Sequence, residues 1–93
     1  MIVSFKSRET ERIWRGQSSR TFPANIQDRA LRKLRQLDAS RTLEDLRNPS
    51  GNRLEALKGN RAGQMSVRIN DQRRICFRWA EGDAHEVEIV DYH

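Results

Sequence analysis

Apolar residues recur along the chain in two rhythms, first at helical spacing and then in strict alternation, and the change divides it into a helical half and a sheet half. Ile2-Val3-Ser4-Phe5 is short, β-branched and aromatic, which predicts an opening strand. Ser7 offers an N-cap, and Glu9 and Glu11 suit the positive end of a first helix. That helix runs towards Arg15, where Gly16-Gln17-Ser18-Ser19 breaks it. Pro23 fits the first turn of a second helix, because the N–H it lacks would have no helical partner there. Ile26, Ala30, Leu34 and Leu37 then share one helical face with Leu31 beside them, while Arg29, Arg32 and Lys33 lie towards solvent.

Residues 41–50 read as a connector with a helical turn near 43–46, and Asn48-Pro49-Ser50-Gly51-Asn52 has the chemistry of a loop. Residues 53–57 have room for a short strand, and Gly59-Asn60-Arg61-Ala62-Gly63 for a flexible connection. Alternation follows, with Met65, Val67 and Ile69 on one face and Gln64, Ser66 and Arg68 on the other. Past a turn at Asn70-Asp71-Gln72, Ile75, Phe77 and Trp79 continue the apolar face, opposed by Arg74, Cys76 and Arg78. A second turn at Glu81-Gly82-Asp83 leads to a last strand that carries Val87 and Ile89 inward. Two tight turns joining three strands make an antiparallel meander. The expected fold class is α+β: an N-terminal strand and two helices packed on a small antiparallel sheet of three or four strands, in one domain over 1–93. The sheet face with Ser66, Arg68, Arg74 and Arg78 is then the open, functional one.

Composition narrows the classes. With 35% hydrophobic residues in 93, the chain has room for one modest core and buries roughly 60–65% of the surface its unfolded form exposes. The single cysteine, Cys76, excludes an internal disulfide, and no Cys/His cluster has zinc spacing. No apolar run reaches the roughly 20 residues of a bilayer span and the start lacks a signal-peptide pattern, so a cytoplasmic protein without membrane contact is expected. Charge is unevenly placed. Residues 1–78 hold all 18 Lys and Arg against 8 acids, and residues 79–93 hold the other 5 acids and no Lys or Arg. Fifteen of the cations are arginine, whose planar fork matches phosphate and stacks on bases. Such clustering is the electrostatic footprint of a nucleic-acid binder, although a solvated arginine-rich helix face looks the same in sequence.

A few residues could carry chemistry. Lys58, between Leu57 and Gly59 and close to Arg61, could neutralise a phosphate or hold a proton in transfer, or be an ordinary surface lysine. Arg74, next to Arg73, is suited to stabilising charge on a phosphoryl transition state, or equally to a cross-strand pair with Glu86 or Glu88; Arg68 and Arg78 share that ambiguity. The chain ends Asp91-Tyr92-His93. An imidazole titrating near neutrality suits proton transfer, whereas a frayed terminus is the plain alternative. Alternation places Tyr92 with Glu86 and Glu88, and Asp91 and His93 on the core side, so convergence of all three on Arg74 requires the strand to end or twist near Val90.

Taken together, Leu57-Lys58-Gly59-Asn60-Arg61, the strand Ser66-Val67-Arg68 leading to Arg74-Ile75-Cys76-Phe77, and the ending Asp91-Tyr92-His93 resemble the HigB-like toxins of the RelE/ParE toxin–antitoxin superfamily. The resemblance spans essentially the whole chain. It implies a RelE-like fold and an endoribonuclease that enters the ribosomal A site and cuts messenger RNA during translation. It also implies an antitoxin with a helix-turn-helix domain, through which alone operator DNA would be bound. Carried over, Lys58, Arg74, Asp91, Tyr92 and His93 match the family's catalytic positions, and Arg61, Arg68, Arg73 and Arg78 are the expected RNA-binding cations. Glu55 stands where the best-known members have a histidine. The chemistry implied is 2′-OH attack on the scissile phosphate without a metal or other cofactor. The same fold with a ParE-like activity, inhibition of DNA gyrase without catalysis, is the alternative, and a non-catalytic RNA-binding module is a third.

Overall fold

The structure, a computed structural model, describes residues 1–47 and 52–91. Residues 48–51 of the loop expected at 48–52, and with them Tyr92 and His93, lie outside the described residues. Helix α1 spans Arg8–Trp14 and α2 spans Ala24–Ala39. Four strands follow, β1 (Glu55–Ala56), β2 (Met65–Arg68), β3 (Arg73–Ala80) and β4 (Asp83–Asp91), in an antiparallel sheet of order β1-β2-β3-β4. The expected α+β meander is therefore present with its fourth strand. Short 3-10 helices at Leu43–Arg47 and Gly59–Arg61 fill the connectors. No helix among the described residues is long and apolar enough to cross a membrane.

Local chemistry sets the helix ends. Ser7 caps α1 by accepting the Thr10 N–H at 3.2 Å. Pro23 is the N-cap of α2 rather than a residue of its first turn, and gives no side-chain bond. Ahead of the first 3-10 helix, the Asp45 carboxylate accepts the Arg41 and Thr42 N–H groups, which holds its pKa below the usual value. Ile26, Ala30, Leu34 and Leu37 form the buried stripe of α2, and they pack with Ile13 against Val67, Ile69, Ile75, Phe77, Val87 and Ile89 on one sheet face. The side chain of Asn52 is fully buried between the connector and α2; it accepts from the Lys33 ammonium and donates to Gln36 Oε1 at 3.0 Å and to the Leu46 carbonyl at 3.2 Å.

The expected opening strand takes another form. Residues 1–6 run parallel to β4 and are joined to it at two isolated bridges, Ile2 with Ala84 and Phe5 with Val87. The interruption coincides with a bulge in β4: Cys76 pairs with Glu88 and Arg78 with His85, so Phe77 faces both Glu86 and Val87. Glu86 takes the left-handed conformation, φ 53°, and its N–H donates to Ser4 Oγ at 2.9 Å. The bulge lets Ala84, Val87 and Ile89 all face the core, which strict alternation from Ala84 would forbid.

Two stability measurements follow. Asn52→Ala strips partners from three groups at once and is expected to cost about 1–3 kcal/mol in denaturant unfolding. Glu86→Val places a β-branched residue at positive φ and is expected to cost about 1–2 kcal/mol, whereas Glu86→Gly is close to neutral.

Candidate functional site

The sheet face away from the helices holds the candidate cations Arg61, Arg74 and Arg78, but it is not open as the alternation alone suggested. Residues 55–56 extend the sheet beside β2, and the segment after them brings Arg61 over this face onto Glu88. Ser66 and Cys76 are fully buried there, and Arg74 is 8% exposed. A guanidinium in such a place needs its donors satisfied. Arg74 Nε donates to Ser66 Oγ at 2.7 Å, and its Nη2 donates to the carbonyl of Arg53. Arg53 itself is left-handed, φ 44°, so a strained peptide presents that carbonyl to the cation. The Glu55 carboxylate stands 3.9 Å from the same Nη2 and is largely exposed. The ion-pair partner of Arg74 is thus Glu55 on β1, not Glu86 or Glu88 on β4.

The other arginines of this face are engaged as well. Arg61 Nη1 donates to Glu88 Oε1 at 2.9 Å and to Gln64 Oε1 at 3.1 Å, and Lys6 Nζ is 3.9 Å from the same Glu88 oxygen. Arg78 Nε donates to Glu86 at 2.8 Å, and Arg68 pairs with Asp71 three residues on. Beneath them lies Cys76, whose thiol is pushed up in pKa first by burial and then by Glu88, against the opposing pull of Arg61, Arg74 and Lys6. Arg73 belongs to the opposite face: its guanidinium carbon sits 5.8 Å from the Phe22 ring centroid.

Lys58 caps the 3-10 helix Gly59–Arg61, and its carbonyl accepts the Arg61 N–H at 3.3 Å. Its ammonium is exposed and makes no ion pair with the described residues. Asp91 ends β4 directly opposite Arg73, one step beyond the pair Arg74 and Val90. The register breaks at Glu86, upstream of the place near Val90 where convergence required a twist, and pairing runs unbroken from Glu88 to Asp91. Asp91 therefore keeps the pleat parity of Ile75 and Ile89, opposite to that of Arg74, and is exposed. The fold brings Arg61, Arg74 and Arg78 to one face with Glu55 and Glu88, and it sets Arg73 and Asp91 on the other. Sequence reasoning did not single out Ser66 or the Arg53 carbonyl as anchors of Arg74; the only signal was a small hydroxyl at the polar parity position opposite Cys76.

Comparison with known proteins bears on the family and the fold class. Residues 3–93 match the family described as RelE-like toxin of type II toxin-antitoxin system HigB. Toxin HigB-1 of Vibrio cholerae serotype O1 is 40% identical over 85 residues, 90% of this chain and 90% of that protein. Endoribonuclease HigB of Proteus vulgaris is 31% identical over 93 residues, 100% of both chains.

The buried thiol gives a direct check on the cover over this face. Because both burial and Glu88 disfavour the thiolate, native Cys76 is expected to resist alkylation at mildly alkaline pH and to react at the rate of a free thiol in denaturant. Fast alkylation of the native protein would show that the segment carrying Arg61 does not seal it.

Proposed function

This chain belongs to the HigB-like toxins, RelE-like toxins of type II toxin–antitoxin systems, and on that premise we propose that it is an endoribonuclease that cuts messenger RNA during translation on the ribosome. Membership implies an antitoxin partner; we further propose that this partner carries a helix-turn-helix domain, and that operator DNA is met only through it. The observation that carries the catalytic reading is the fixed guanidinium of Arg74, held by Ser66 and the Arg53 carbonyl at the start of the segment that leads to Lys58. Its Nη1 makes no hydrogen bond to a described residue and is left for a phosphate oxygen.

Cleavage by the 2′-OH needs that hydroxyl deprotonated, the 5′-oxygen protonated as it leaves, and the pentacoordinate phosphate stabilised. In this proposal Lys58 and Arg74 stabilise the phosphorane, and His93 and Asp91 exchange the protons. Tyr92 stacks on or hydrogen-bonds the nucleotide at the cut. The products end in a 2′,3′-cyclic phosphate and a 5′-hydroxyl, and the reaction needs no metal. Arg61, Arg68, Arg73 and Arg78 hold the RNA backbone. Two of these have exposed carboxylate partners, Asp71 for Arg68 and Glu86 for Arg78. Exposed pairs of this kind contribute only about 0–1 kcal/mol, so a phosphate can replace the carboxylate at little cost.

Mapping of 5′ ends in cellular messages after brief induction tests the proposal. Wild-type protein should produce new ends inside translated regions, and Lys58→Ala, Arg74→Ala and His93→Ala should each lower their yield by about 100-fold or more, the scale of losing one charge-stabilising or proton-transfer group. Undiminished cleavage by both Lys58→Ala and His93→Ala would overturn the assignment, and intact messages with DNA damage would favour gyrase inhibition.

A further inference from the structure

The outer side of α2 holds cations that the proposed cleavage site does not use. Arg29, Arg32, Lys33 and Gln36 line a surface hollow there. Their spacing of three, four and seven residues places them in one stripe about 10 Å long. Like charges at this spacing repel, and Arg29 and Lys33 stand four apart. None of the three cations makes an ion pair with a described residue. The two acids of α2 face elsewhere: Asp38 accepts the Ile2 N–H at 2.8 Å, and Asp28 lines a different hollow with Ile13 and Gln17.

The hollow is also preorganised. Buried Asn52 accepts from Lys33 and donates to Gln36 Oε1 at 3.0 Å, so both of these side chains are held in place from beneath. Burial, then Arg29, Arg32 and Arg68, push the Lys33 pKa below its usual value, as expected where positive charge is concentrated without compensation. Arg68 extends that field from the helix towards the β2 end of the sheet.

We propose that this stripe is a second RNA-binding site, a cradle for the phosphodiester backbone in which Arg29 and Arg32 grip phosphates and Lys33 supplies a fixed positive charge. Arginine forks match phosphate oxygens in pairs, and a stripe of this length meets several phosphates of one strand. A protein partner is the weaker fit, because protein interfaces are organised around an apolar centre and the described residues lining this hollow, Arg29, Arg32, Lys33 and Gln36, are polar or charged. The site is distinct from the Arg74 face and takes RNA as a backbone, without cutting it.

Binding of a dye-labelled RNA duplex to the full chain, followed by fluorescence anisotropy over a salt series, tests this. Arg29→Gln/Arg32→Gln is expected to weaken binding by about tenfold or more. It should also reduce the slope of log affinity against log salt by roughly 2, near 0.9 for each phosphate that is no longer neutralised. Arg8→Gln/Arg20→Gln removes the same charge elsewhere and should change both values far less. Equal losses in the two variants would mean diffuse attraction only and would overturn the proposal, as would an undiminished α2 variant. Displacement of the RNA by polyglutamate at matched charge would also overturn it, in favour of an acidic polypeptide. If the double variant melts early, Arg29→Gln and Arg32→Gln singly must each move affinity and slope in the same direction. The inference does not depend on cleavage: duplex binding retained in Lys58→Ala protein supports it whether or not that protein still cuts messages.

Discussion

The burial of one guanidinium, that of Arg74, is the constraint from which the covered sheet face of this protein follows. Four successive residues of β3, from Arg74 to Phe77, are buried, so the strand is covered on both sides. The helices cover one side with apolar packing. The other side must solve a harder problem, because a charge removed from water costs several kcal/mol unless its donors are matched. Ser66 and the Arg53 carbonyl match them, and for that carbonyl to arrive, residues 53–56 must run beside β2. The Leu57 N–H to Gln64 carbonyl bond, 2.9 Å, then closes the loop, and Arg61 swings onto Glu88. The exposed position of Lys58 is a consequence of a bond made five residues earlier.

Charge follows the same logic. The acidic stretch after residue 78 looks in sequence like a separate tail, yet in the fold it neutralises the sheet. Glu86 answers Arg78 beside it on β3, and Glu88 answers Arg61 and Lys6 above it. The face around Arg74 is therefore a mosaic of paired ions, not a bare cationic surface. Unpaired positive charge is concentrated instead on the outer side of α2, where no carboxylate of the described residues reaches Arg29, Arg32 or Lys33. A site for chemistry requires cations held in position, which pairing provides; a site for grasping a backbone requires net charge, which pairing would remove.

Elements whose information is local are legible in the sequence. The stripe of α2 and the alternation of β2 and β3 predict the observed core, and Ser7 is recognisable as a cap. What is not legible depends on partners distant in the chain. Nothing near 53–57 announces that its backbone will serve Arg74, some twenty residues on, so a covered face looks like an open one. Likewise Pro23 fits either the cap or the first turn by chemistry alone. The opening strand has strand composition, but its continuity depends on a partner that bulges at Glu86, a residue with no glycine signature. Among the candidate residues, placement on a face is recoverable for Arg68, Arg74 and Arg78 by parity. Of their partners, only Glu86 for Arg78 is among the cross-strand alternatives; Asp71 for Arg68 and Glu55 for Arg74 do not stand out from the other acids in a string of letters.

The bulge also decides what the end of β4 can do. Its edge is held at several points by the first ten residues: Val3 and Lys6 donate to the Ala84 and Val87 carbonyls, and Thr10 Oγ1 accepts the Ile89 N–H at 2.9 Å. An edge bound on both sides of Glu86 cannot slip, so the one-residue insertion is retained and the parity beyond it is fixed. That parity sends Ile89 to the core and Asp91 to the same side as Arg73, one step past the level of Arg74. Acid and buried cation are thus neighbours along the sheet but not across a shared surface. A phosphate held by Arg74 would have to meet Asp91 around the end of the strand, and not on the flat of the sheet. The reactive geometry, on this reading, belongs to the corner of the fold and not to its face.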